Sequence, residues 1–224
     1  MRDSERGDGA DSRTSESLLR ADAVIEGTNV LIAGPAMTEK RRLALSLVGG
    51  ADDNGALFIT TSKNATQIRR EFEAVTGGSG DALRVVDCVG GDQQFGRESD
   101  DRRTSYVSSA ADMTGIGIAA TGMMQQLYRD DSVEDVRVGL SSLSTILMFA
   151  DLKRLYQFTH VLTGRIESVG FRGVFTLDST AADEETLNIL KQLFDVYVET
   201  RDTDDGLELR VRGDDIGPRE WTPY

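Results

Sequence analysis

Residues 29–45 read Asn29-Val30-Leu31-Ile32-Ala33-Gly34-Pro35-Ala36-Met37-Thr38-Glu39-Lys40-Arg41-Arg42-Leu43-Ala44-Leu45. The apolar run before Gly34 is a buried strand, and the residues after the loop repeat their apolar positions at helical steps. A strand, a short loop and a helix in that order is where a phosphate-binding loop of the G-x-x-x-x-G-K-[ST] pattern belongs. Gly34 and Lys40 occupy the first glycine and the lysine of that frame. Glu39 stands at the second glycine, and Arg41 at the hydroxyl position. Each departure has a physical meaning. The second glycine lets backbone N–H groups close around phosphate oxygens, and a carboxylate there sets negative charge against negative charge. The hydroxyl would hold magnesium, which wants oxygen ligands that arginine does not offer.

Strand and helix patterns alternate on both sides of this stretch. Strands are expected at Ala56–Thr61, Leu83–Val89, Val136–Leu140, Gly173–Asp178, Phe194–Val198 and Leu207–Arg212. Asn64 is placed to cap a helix with Ile68, Phe72 and Val75 on one face, and Asp183 to cap another through Glu184–Gln192. A helix runs from Thr114 to Tyr128, and another from Leu152 to about Val169, loosened at Gly164. Between Gly90 and Asp112 the chain is polar and has no regular period, so it reads as a long loop. Met1 to Arg20 reads as a disordered tail and residues 21–224 as a single domain. Alternation of this kind gives βαβ units and a mostly parallel sheet flanked by helices. The last strands, close in sequence, are expected to pair antiparallel at the C-terminal edge. Ligands of such sheets bind at the carboxyl ends of the strands. Gly34, Ser62 and Ser141 all fall there.

Composition narrows the function classes. The 224 residues carry a formal charge of -13, and lysine occurs only at positions 40, 63, 153 and 191. An acidic, lysine-poor surface stays hydrated at high salt, which points to a halophilic cytoplasm; an ordinary acidic protein is the plainer alternative. Nonspecific nucleic-acid binding needs a basic footprint that this chain lacks. Cys88 is the only cysteine and lies in an apolar strand, where it reads as a small buried hydrophobe. His160 is the only histidine, so histidine-rich metal sites are excluded. No apolar run is long enough for a membrane span, and a cytoplasmic location is expected.

The order of elements resembles the RecA superfamily, and within it the KaiC-like ATPases, over residues 21–224. The resemblance rests on the opening with Lys40, on Ala56-Leu-Phe-Ile-Thr-Thr-Ser62, and on Arg137-Val-Gly-Leu-Ser-Ser-Leu-Ser144. Gly173-Val-Phe-Thr-Leu-Asp178 and Leu207-Glu-Leu-Arg-Val-Arg-Gly213 with Arg219-Glu-Trp221 complete it. It implies a RecA-like fold and an ATP site formed by Gly34, Thr38, Lys40, Arg41, Ser62 and Ser141. Yet the acidic pair that activates water in KaiC-like enzymes corresponds to Ser62 and Lys63, and the magnesium-organising aspartate to Ser141. With Glu39 and Arg41, three parts of the phosphoryl-transfer apparatus are absent together. The resemblance therefore implies a remnant site with no catalytic residue and no metal, in which no cofactor is certain and ATP or ADP is the candidate.

Arg210 and Arg212 match basic residues that KaiC-like subunits project into a neighbour's site. Alternate residues of an edge strand also simply face solvent. Trp221 is a candidate interface anchor, with packing onto its own domain as the alternative. The leading expectation is a non-catalytic, regulatory or scaffolding subunit that works through a protein partner or a second copy. The alternative is a weak or partner-completed ATPase that uses Lys40. Nucleic-acid binding ranks last.

Overall fold

The computed structural model describes residues 26–49, 54–89, 103–130, 133, 135–213 and 217–224. Among these, the strands are β1 (Asn29–Gly34), β2 (Asn54–Thr60), β3 (Leu83–Asp87), β4 (Thr104–Tyr106), β5 (Asp135–Ser141), β6 (Arg172–Asp178), β7 (Val196–Thr203), β8 (Gly206–Arg212) and β9 (Thr222–Pro223). The helices are α1 (Lys40–Gly49), α2 (Ala65–Thr76), α3 (Met113–Tyr128), α4 (Leu143–Leu147), α5 (Leu152–Ser168) and α6 (Glu184–Lys191), with a 3-10 turn at Gly80–Ala82. All nine strands join one sheet in the order β4-β3-β2-β5-β6-β1-β7-β8-β9. Neighbours from β4 to β7 are parallel, and β7-β8 and β8-β9 are antiparallel. The expected mostly parallel α/β sheet with an antiparallel C-terminal edge is what the chain forms.

All six residues of β1 are buried, because helices cover both faces of a parallel sheet. Leu31 and Ala33 enter the core beneath α3 and α5, while Val30 and Ile32 enter the opposite core beneath α1 and α2. That two-sided burial fixes the direction of β1 and so the place where its loop emerges.

Several local expectations needed correction. Within the stretch read as a loop from Gly90 to Asp112, Thr104–Tyr106 forms β4 beside β3, a strand too short to show a period. Residues 90–102 and the tail of residues 1–20 lie outside the described residues. Helix α5 runs through Gly164 without a break. Its buried Thr159, Leu162, Thr163 and Ile166 hold the helix on the sheet, and this packing outweighs a glycine cost of about 1 kcal/mol. β3 ends at Asp87, whose carboxylate accepts from the backbone N–H groups of Ala65 and Val89 at 2.8 Å each. β7 begins later than expected, at Val196, since Phe194 is used in the turn after α6 and packs on Phe175 with ring centres 5.2 Å apart. It then continues to Thr203, where Asp204 and Asp205 turn the chain into Gly206 at φ 116°, a conformation open to glycine. The stretch after Gly213 returns as β9.

At the amino ends of β5 and β6, Arg137 and Arg172 lie side by side in register. Asp135 is their shared counter-ion, bonding Arg137 Nε at 2.9 Å and pairing with Arg172, while Arg137 also donates to the Leu47 carbonyl at 2.9 Å. Removing this carboxylate leaves two nearly buried guanidinium groups facing each other. Asp135→Ala is expected to lower stability by about 3 kcal/mol, read as a lower urea midpoint at unchanged slope.

Candidate functional site

The loop after β1 starts at a point of close approach. A Cβ on Gly34 would fall 2.4 Å from the Thr200 carbonyl oxygen, so no other residue fits against β7 there. The chain then takes two left-handed steps without glycine, Met37 at φ 66° and Glu39 at φ 51°. Between them Thr38 is fully buried, its hydroxyl donating to the Pro35 carbonyl at 2.9 Å and lying 2.7 Å from the Thr200 hydroxyl. Lys40 folds back over the loop. Its Nζ donates to the Pro35 carbonyl and, at 3.2 Å, to the Thr38 hydroxyl. Burial lowers the Lys40 pKa, partly offset by the charge of Asp178. From the other side the Tyr224 hydroxyl donates to the Thr38 carbonyl, and its backbone N–H to the Leu207 carbonyl at 3.0 Å. The loop is thus held by its own lysine, by β7 and by the aromatic tail.

Beside the loop opens a cavity of about 700 Å³ at the carboxyl ends of β5 and β6. Thr38, Lys40, Arg41, Ser62 and Ser141 all line it, so five of the six residues expected at a nucleotide site converge; Gly34 forms the strand end behind them. Lys63, Glu71 and Asp178 line it as well. Glu71, on α2, accepts from Arg41 Nε at 2.8 Å and from Lys63. Burial opposes its charge, but the hydrogen bonds and positive charges of Arg41 and Lys63 hold its carboxyl below the usual range. Sequence reading missed Glu71, since its partner Arg41 is thirty residues distant and no local pattern marks the pairing.

The polar groups at the sheet end are also satisfied internally. Ser141, buried at the end of β5, accepts from the Thr176 hydroxyl at 3.0 Å. The Ser142 N–H donates to the Thr61 hydroxyl at 2.8 Å, and the Ser142 side chain caps α4. Asp178 accepts from the Thr180 N–H and hydroxyl at 2.9 and 2.7 Å. Among the described residues no group of three or more His, Cys, Asp or Glu side chains is arranged to hold a metal ion.

Residues 27–200 match the family of unknown function DUF7504. The chain belongs to that family. No curated protein matches it. Among solved structures, a KaiC-like protein from the hyperthermophilic archaeon Pyrococcus horikoshii has a similar fold, with a TM-score of 0.63 at 16% identity over 90% of this chain and 88% of that one. The fold is therefore KaiC/RecA-like. The DUF7504 match takes in the loop, Glu71, Ser141 and Asp178 and ends at Thr200.

Arg210, Arg212, Trp221 and Tyr224 lie beyond it. The Trp221 ring sits between Arg201 and Arg210, with guanidinium carbons 4.1 and 4.4 Å from its centre. Arg210 also bonds Glu199, and Arg212 lies 3.5 Å from the same carboxylate. Arg210, Arg212 and Trp221 thus engage groups of their own antiparallel edge and do not line the cavity. Cys88 is buried, its thiol pushed up to about 12 by burial and by the charges of Asp87 and Asp112. His160 is exposed on α5 and stacks on Tyr156 with ring centres 6.2 Å apart.

Two outcomes follow from this geometry. At neutral pH Cys88 is expected to resist iodoacetamide until the protein is unfolded, since the thiolate is the reactive form; alkylation of the native protein would contradict its placement. Tyr224→Phe is expected to cost about 1 kcal/mol and to speed amide exchange in residues 36–39. Burial raises the Tyr224 phenol, with the charges of Glu39 and Asp202 adding to it against a bond from Thr200. A raised folded-state value makes this stabilisation complete below about pH 10 and progressively lost above it. The stability gap between wild type and Tyr224→Phe should therefore narrow above pH 10 in paired urea titrations.

Proposed function

We propose that this protein is a non-catalytic member of the KaiC/RecA-like fold, a pseudo-ATPase that acts as a regulatory or scaffolding subunit through protein contacts. The observation that carries the proposal is the self-satisfied loop, in which Lys40 is bonded to Pro35 and Thr38 of its own turn. Hydrolysis needs a base to take a proton from the attacking water. At the positions that supply it in KaiC-like enzymes stand Ser62 and Lys63, and Lys63 is paired with Glu71. Glu71 itself is engaged by Arg41 and Lys63, whose bonds and charges lower its affinity for a proton. Glu39 lies where a phosphate-binding loop presents backbone N–H groups, and no hydroxyl follows Lys40 to hold magnesium.

Exposed apolar side chains support the contact-making half of the proposal. Met37 at the loop tip is 91% exposed, and Met148 and Phe149, just past α4, are 77% and 62% exposed. A contiguous exposed apolar patch marks a contact surface, and the adjacent Met148 and Phe149 are the candidate for one here. The acidity of the chain favours a protein over a nucleic acid as the partner.

A second reading is favoured by the cavity, which is of ligand size and collects Lys40, Arg41 and Lys63. In that reading the protein is a nucleotide sensor, or an ATPase completed by a partner, with ATP or ADP held through Lys40. Calorimetric titration in molar KCl with magnesium separates the two. The pseudo-ATPase reading predicts no saturable heat from millimolar ATP or ADP, and the same trace from Lys40→Ala. Saturable binding that Lys40→Ala abolishes would replace it with the sensor.

A further inference from the structure

Helix α3 departs from the rest of the chain in composition. Charged residues make up 28% of the protein, yet none of the 16 residues of α3 carries a charge. Its buried side holds Ile116, Ala120, Met123, Met124 and Leu127. The opposite side is uncharged and mixed: Ile118 is 70% exposed and Tyr128 69%, beside the exposed polar Thr114, Gln125 and Gln126. Across from it on α5, Val161 is 63% exposed. The two helices border a groove of about 810 Å³.

Two features set this groove apart from the rest of the surface. Gly117 and Gly122 face it, and a Cβ added to either would meet nothing within 4 Å. Each glycine in a helix interior costs about 1 kcal/mol against alanine, and no neighbour here requires that cost. Glycine on a helix face does allow another backbone to approach closely. The second feature is charge. The ionisable groups lining the groove are Arg154, Arg165 and Asp112. Asp112 is committed to the helix start, accepting from the Gly115 N–H at 2.8 Å and the Ser108 hydroxyl at 3.3 Å. Arg165 reaches across to the Thr121 hydroxyl at 2.5 Å, and its charge, like that of Arg154, meets no acidic side chain among the described residues. A groove with two arginines to one aspartate, lined by apolar and uncharged polar groups, thus sits on a chain of net charge -13.

We infer that the α3–α5 groove is a docking site for an amphipathic helix of a partner protein whose apolar face is flanked by carboxylates. Ile118 and Val161 meet the apolar face, Gly117 and Gly122 admit its backbone, and Arg154 and Arg165 pair with its acids. The inference rests on the reading of this protein as a contact-making subunit, and names the surface. A second copy is disfavoured as occupant, because a face-to-face pair would set these arginines against their own kind and bring two strongly negative chains together. An anionic membrane is disfavoured by the same net charge.

The test uses the full chain and two synthetic helical peptides that share a leucine face, one flanked by glutamates and the other by lysines, read by fluorescence anisotropy. The glutamate peptide is expected to bind saturably and the lysine peptide at least tenfold more weakly. Arg154→Glu with Arg165→Glu should reverse that preference. Gly117→Ala with Gly122→Ala should raise the melting temperature and yet weaken the glutamate peptide at least tenfold, a pairing of effects that loss of folding does not produce. Failure of the glutamate peptide to bind, equal binding of both peptides, or indifference to these variants would overturn the inference. So would sedimentation showing a dimer that Ile118→Asp dissolves, or retention on phosphatidylglycerol vesicles. A nucleotide sensor would declare itself in the calorimeter and leave the peptide result unchanged, so the two readings fail separately.

Discussion

The contact between Gly34 and Thr200 governs the candidate site. The sheet order sets β7 directly beside β1, and the missing side chain at Gly34 lets the two strands close to that distance. Thr200 then presents its hydroxyl to the buried Thr38, which turns Thr38 inward and leaves Pro35 and the Thr38 hydroxyl as partners for Lys40. The antiparallel edge adds the last constraint, because β8 and β9 carry Tyr224 to the Thr38 carbonyl. A loop that elsewhere closes around phosphate oxygens is here closed around its own carbonyls and hydroxyls.

Electrostatics follows from the same packing. The cations that reach the cavity are matched from within, Arg41 and Lys63 by Glu71, and the positive charge of Lys40 is made costly by burial. The carboxylates near the cavity are likewise engaged, Glu71 by two cations and Asp178 by Thr180. The cavity remains open at the sheet end while charged groups around it are directed at one another. Function resides in such groups and not in the fold that carries them.

Most of the sheet was legible in the sequence, because β1 and β2 are apolar runs bounded by turns, β5 and β6 are apolar between their ends but for Arg137 and Thr176, and Asn64 and Asp183 cap the helices that follow. That Thr38, Lys40, Arg41, Ser62 and Ser141 line one cavity was legible too, since the carboxyl ends of parallel strands converge whatever residues stand there. What escaped was set by contacts between distant segments. Glu71 carries no local sign of its pairing with Arg41, and β4 and β9 are too short to have a period. Gly164 looked like a break, yet buried neighbours on both sides keep α5 whole. Trp221 gave no sequence signal of the two arginines that enclose it, because Arg201 lies on β7 and Arg210 on β8.

We propose that this fold is kept without phosphoryl-transfer chemistry. The most direct test is phosphate release from radiolabelled ATP with the protein in molar excess, in magnesium and high salt, over several hours. Release at the protein-free rate is the predicted result, unchanged in Lys40→Ala. Release well above that rate, removed by Lys40→Ala, would show a working site and contradict the account.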